Sequence, residues 1–204
     1  MNRLSTMIRQ FGGLFFNRAE IRPRAYPLEL GDYQKRPLSN TPTVRAADIP
    51  KAYTPAGLYP VGEFPTAVLA ESDEALSPEA PDLRGVWHCI AGRMKGHVER
   101  IEQAGNRVTI TAGGVIHDMF VDGTVKGGVN DVNPAEKKIR VAADFKNGEL
   151  RLRPGGRRLV AVNRYLAGDE LIWRYGPFRN RLIRLTEPLP EWLEKNKEAS
   201  LSKS

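Results

Sequence analysis

Cysteine is almost missing from this chain: Cys89 is the only one in 204 residues. That excludes an intramolecular disulfide and a cysteine-rich metal site, and nothing argues for an oxidising compartment. Long apolar runs are missing too, and none approaches the roughly 20 residues that a membrane-spanning helix needs. No secretory signal is expected, because Leu14-Phe15-Phe16 is too short for its apolar core and no small-residue cleavage site follows. Catalytic signatures are equally scarce. There is no Gly-x-Gly-x-x-Gly after a strand, no Walker loop, no Gly-x-Ser-x-Gly and no His-Glu-x-x-His. The expectation is a protein without enzyme activity.

What the chain has in abundance is turn signals between β-branched and aromatic runs. From Asp82 to Glu187 the pairs Gly105-Asn106, Gly113-Gly114, Asp122-Gly123, Gly127-Gly128, Asn147-Gly148, Gly155-Gly156, Gly168-Asp169 and Gly176-Pro177 punctuate it. Alternation between them is clean: Val108 and Ile110 against Arg107, Thr109 and Thr111; Leu150 and Leu152 against Glu149, Arg151 and Arg153. One face of these strands is expected to be wet. Counting gives roughly ten strands: 85–91, 97–103, 107–111, 115–121, 124–129, 139–145, 149–153, 159–165, 170–175 and 181–186. The fold class is therefore all-β, a roughly ten-stranded antiparallel up-and-down barrel. An extended Pro-rich N-terminal arm and short terminal helices flank it. A barrel of this size is filled by its own side chains or holds one small ligand.

Four segments follow from composition. Residues 1–24 hold five Arg against Glu20, and Leu4, Ile8, Phe11 and Phe15 form one apolar helical stripe with Arg3 off it. An Arg-rich amphipathic start suits a helix on an anionic membrane surface, a helix docked on a partner, or a transit peptide. Residues 25–82 are acidic, four bases against nine acids, and rich in proline, which favours extended chain. That arm is expected to strap over the barrel or to wrap onto another subunit, with a flexible joint over 70–80. Residues 83–188 are the barrel, at nineteen bases against eleven acids. Residues 189–204 form a short helix and tail.

The opening strand Leu83-Arg84-Gly85-Val86-Trp87-His88, followed by a meander that ends in a basic strand, resembles the calycin barrels: lipocalins, fatty-acid-binding proteins and nitrobindin-like proteins. The lipocalin resemblance implies Gly85 and Trp87 as a plug at one barrel end, with Arg181 or Arg184 stacked over the indole. The chain departs from fatty-acid-binding proteins in having only a tight turn, Gly92 to Gly96, after the first strand. The fatty-acid-binding resemblance implies a carboxylate held by an Arg and a Tyr of the last strands. Here the candidates are Arg164, Tyr165, Arg174, Tyr175, Arg181 and Arg184. Alternation allows only a subset of these to point inward.

The nitrobindin resemblance would allow haem ligation by a histidine. With Trp87 inward, parity sends His88 outward, and His117 and Asp118 face opposite ways. Cys89 shares the parity of Trp87 and reads as a buried small hydrophobe. The +8 on the barrel would also attract phosphate, yet few aromatics interleave with the bases, so nucleic acid is the weaker partner. The expected function is that of an accessory barrel. It is attached to an anionic membrane surface or a larger protein assembly and holds a small lipophilic or acidic-headed ligand. The alternatives are a soluble haem or fatty-acid carrier and a nucleic-acid-binding barrel. An intracellular, peripheral-membrane location is expected, or a mitochondrial one if the N-terminus is a transit peptide.

Overall fold

The computed structural model describes residues 36–54, 65–112, 115–129 and 140–186, together with Glu191. The N-terminal helix expected over 1–24, with Arg3, Leu4, Ile8, Phe11 and Phe15, lies outside the described residues. So does the C-terminal helix apart from Glu191. Among the described residues no helix is long and apolar enough to cross a membrane.

Nine strands are described: β1 Gly85–Ala91, β2 Val98–Ala104, β3 Arg107–Ala112, β4 Val115–Phe120, β5 Val141–Lys146, β6 Glu149–Pro154, β7 Val162–Ala167, β8 Glu170–Tyr175 and β9 Phe178–Arg184. Each pairs antiparallel with its neighbour, in the order β4-β3-β2-β1-β9-β8-β7-β6-β5. First and last strands are thus adjacent, with Trp87 opposite Arg184 and Cys89 opposite Leu182. The sheet curls into a nearly closed barrel whose seam lies between β4 and β5. β9 begins at Phe178, earlier than the sequence suggests, because the Gly176-Pro177 turn pairs Tyr175 directly with Phe178.

The strand expected over 124–129 is a turn with one bridge, Val129 to Val141. It still stands in the tenth place. Phe120 N donates to Gly127 O on the β4 side, while Gly123 N donates to Ala143 O and Val141 N to Val129 O on the β5 side. Two local features keep it from becoming a strand. Asp122 Oδ1 accepts from Thr124 N and Thr124 Oγ1, each at 2.8 Å, which offers the backbone an alternative to the ladder. Gly128 passes so close to β5 that an added Cβ would sit 1.7 Å from Val141 O. Glycine is required there by contact.

The inward face carries one continuous core that includes Trp87, Cys89, Ile101, Val108, Ile110, Met119, Leu150, Leu152, Val162, Leu171, Trp173 and Leu182. The outer face of β2–β4, expected to be wet, is dry. Glu102, Arg107, Thr109, Thr111 and Asp118 are all buried there. The reason is the arm, whose described residues 36–54 and 65–82 lie on the barrel's own flank. Arg107 donates to the carbonyls of Ala46, Ile49 and Pro50. Ala52 N donates to Asp118 Oδ2 and Leu69 N to Glu102 Oε2. Thr54 Oγ1 meets Ile116 O, and Arg100 meets Pro65 O. The expected flexible joint over 70–80 is tied down as well. Ser39 N bonds Asp73 O, Ala75 N bonds Ser39 O, and Ser77 N bonds Gly105 O. Proline keeps this chain extended, and donors and acceptors of the barrel's outer face hold it there.

Candidate functional site

Trp87 lies buried on the inward face of β1. Its Nε1 donates to Leu83 O at 2.8 Å, and the Arg184 guanidinium stands over its ring at 4.6 Å. Gly85 starts the strand at φ 136°, a backbone conformation that side-chain-bearing residues rarely adopt. Of the two stacking candidates, Arg184 is the one over the indole. Arg181 points outward and is exposed, forming a side-on fork with Glu170 at 2.8 and 2.6 Å.

Of the remaining arginine and tyrosine candidates, the structure sends Arg164 and Tyr175 inward and Tyr165 and Arg174 outward. Arg174 is exposed and Tyr165 half-buried. The register explains the split: Arg164 pairs with Trp173 and Val162 with Tyr175, all on the lumen face. Burial also raises the Tyr175 pKa above its usual value. The six candidates therefore do not form one cluster.

Arg164 is 1% exposed and reaches across the lumen to a residue that the sequence reading missed, Glu99 on β2. Arg164 Nε lies 3.1 Å from Glu99 Oε1, and Nη2 lies 3.0 Å from Oε2. Strands β1, β9 and β8 separate β2 from β7 in the sheet, so this pair is a strut through the barrel. His97 Nε2 adds a contact to Glu99 Oε2 at 3.3 Å. Trp173 is held between these two side chains, with Arg164 4.7 Å above its ring and the His97 ring centroid at 5.3 Å. Glu99 is legible only by parity with Ile101, and a carboxylate between two such neighbours ordinarily reads as a wet-face residue.

Electrostatics at this centre run in one direction. Burial raises the Glu99 pKa, but the Arg164 charge and the His97 contact outweigh it and hold the pKa down to about 2. His117 enters the lumen from β4. Burial and then the Arg164 charge push its pKa down to about 3, so its imidazole is neutral at physiological pH. Arg164 and Glu99 thus face each other as cation and anion, with the uncharged His117 imidazole beside them. Arg164 Nη1 is buried and meets no hydrogen-bond acceptor among the described residues. A buried guanidinium nitrogen without an acceptor is costly, and such groups are rare enough to need a reason.

The histidines separate as parity requires. His88 faces out, and His117 faces in while Asp118 faces out to Arg107. A haem ligand needs an inward, uncharged imidazole in an apolar pocket. His117 meets the first condition, but the ion pair beside it is the opposite of the second, so the residues do not fit that group. Cys89 is buried, and burial pushes its thiol up to about 11, which leaves it a poor nucleophile. No group of three or more His, Cys, Asp or Glu among the described residues could hold a metal. The chain matches no known family model and no curated protein.

Proposed function

We propose that the protein is a non-enzymatic calycin-type barrel that binds a small lipophilic molecule at the Arg164–Glu99–His97 centre, with Arg164 Nη1 donating to an oxygen of that molecule. The observation that carries the reading is the buried guanidinium with one nitrogen lacking an acceptor. A barrel that needed only a filled core would do as well or better with hydrophobic residues at both positions of the pair. Native mass spectrometry after mild purification is expected to show a bound lipophilic molecule in the wild type and none in Arg164→Met. Consistently empty wild-type protein, with no change of Trp173 fluorescence on adding lipophilic probes, would sink the reading.

Attachment is the second half of the proposal. Residues 1–24, with five arginines against one acid, supply charge for an anionic membrane surface or a larger assembly. Deleting them is expected to abolish co-sedimentation with anionic vesicles or with the assembly, and unchanged co-sedimentation would remove this half. Nucleic acid is a weaker reading, because part of the basic outer face is already engaged. Asp144 pairs with both Arg151 and Arg153, and Glu170 with Arg181.

A further inference from the structure

We infer that the molecule held at this centre is uncharged at its head and offers Arg164 a carbonyl-type oxygen, not a carboxylate. The inference rests on the binding-barrel reading and names its ligand class. It departs from the acidic head group that an arginine in a barrel first suggests.

The argument begins with the shape of the guanidinium. A carboxylate is recognised best by two parallel N–H donors on one edge of the group. In Arg164 the side-on edge is taken, since Nε and Nη2 are bonded to the two oxygens of Glu99. The edge left over is Nη1 with the second hydrogen of Nη2, and its Nη1 has no acceptor among the described residues. A second carboxylate reaching Nη1 would lie beside the first, so two anions would share one guanidinium in an interior closed to water.

The neighbours do not relieve that repulsion. Glu99 keeps its charge because Arg164 and His97 both stabilise the anion. His117, whose charge would also act on the pair, is buried and uncharged. A neutral acceptor has no such conflict. It satisfies Nη1, leaves the Glu99 fork intact and adds no charge to the interior. Its apolar body would lie against the Leu150, Val162, Ile110 and Met119 side chains of the same core.

Three probes of one chain length test this: laurate, its methyl ester and its primary amide, titrated into the full-length protein at neutral pH with Trp fluorescence and calorimetry as readouts. The amide and ester are expected to bind wild type about ten-fold or more tightly than laurate, the equivalent of one uncompensated charge contact. In Glu99→Gln the fork loses its anion and Arg164 becomes uncompensated, so the preference is expected to reverse toward laurate. Laurate binding wild type as tightly as the amide would overturn the inference while leaving the binding barrel intact. Should Glu99→Gln not fold, the wild-type ranking decides alone. Failure of all three probes to bind would overturn the binding-barrel reading, and the inference with it.

Discussion

Arg107 on the outer flank and Arg164 in the lumen are alike by every coarse measure. Both are strand arginines, both are fully buried, and both grip a carboxylate side-on. They differ in how completely they are used. Arg107 bonds Asp118 at 2.9 and 2.6 Å through Nε and Nη2. Its remaining donors reach Ala46 O at 2.7 Å, Ile49 O at 2.5 Å and Pro50 O at 2.8 Å. Every nitrogen has a partner. Arg164 has its Glu99 fork, the Trp173 face and one nitrogen with no acceptor among the described residues. A fully satisfied buried charge is a fastener, and here it buttons the arm to the barrel. A partly satisfied one is a feature that folding alone does not justify.

The contrast is broken most severely at Arg107. Arg107→Met strands Asp118 without its cation and uncaps three carbonyls, which is expected to cost about 3–5 kcal/mol in denaturant unfolding. Hydrogen exchange should rise first at the amide of Ala52, which Asp118 holds. Adding Asp118→Leu should not restore stability, because the three carbonyls and Ala52 N stay without partners. Full recovery in that double variant would show that Arg107 does not fasten the arm.

The equivalent experiment inside the lumen should come out the other way. Arg164→Met alone leaves Glu99 buried with only its His97 contact, at a cost on the order of 3 kcal/mol. Arg164→Met combined with Glu99→Leu is expected to recover that loss in the same denaturant titration, while the binding of lipophilic probes stays abolished. A double variant as unstable as the single one would make the Arg164–Glu99 strut structural, and the comparison with Arg107 would collapse.

The fold was far more legible in the sequence than the site. β1 and β8 have the bounds that turn signals set, because glycine-bearing turns cut the chain sharply at Gly92, Gly168 and Gly176. Parity alone placed Trp87 and Cys89 inward and separated His117 from Asp118. It failed wherever burial came from something other than the sheet. Arg107, Thr109 and Glu102 alternate like a wet face and are dry only because a segment far earlier in the chain lies over them. Glu99 was invisible for a related reason, since its cation is 65 positions away and no local pattern links the two.

Acid should probe the lumen with a smaller effect. The folded-state pKa of His117, about 3, lies below its ordinary value of 6.5, so the unfolded chain takes the proton first. Its contribution is complete above pH 6.5 and is lost as pH falls toward about 3. Glu99, at about 2 against an ordinary 4.5, contributes fully above pH 4.5 and loses that contribution as pH falls toward 2. Burial lowers the His88 pKa too and adds in the same direction as His117. Stability should therefore fall below pH 6.5, by about 2–3 kcal/mol once relaxation and water entry are allowed for. His117→Gln should flatten the part of the curve between pH 6.5 and 4.5, where Glu99 does not yet titrate. An unchanged slope in that window would mean that His117 is not held neutral in the lumen.

Arg184 sharpens the comparison at its weakest end, because it has neither the carbonyl cage of Arg107 nor the carboxylate fork of Arg164. It is half-buried, stacks over Trp87 at 4.6 Å and touches Asp82 O at only 3.3 Å. A cation–π contact of this kind contributes about 0.5–1 kcal/mol. Trp87 also keeps its bond to Leu83 O without the arginine. Arg184→Gln should therefore lower stability by about that amount and redden Trp87 emission slightly, with probe binding unchanged. Arg181→Gln, three residues earlier on β9 and on the exposed face, is the control, and its Glu170 fork is screened by solvent. No measurable loss is expected there. Equal effects of the two substitutions would show that the stacking over Trp87 adds nothing beyond surface charge. A loss confined to Arg184 would show that the plug is held by an arginine used for its face alone, the third use of a buried or half-buried guanidinium in one small barrel.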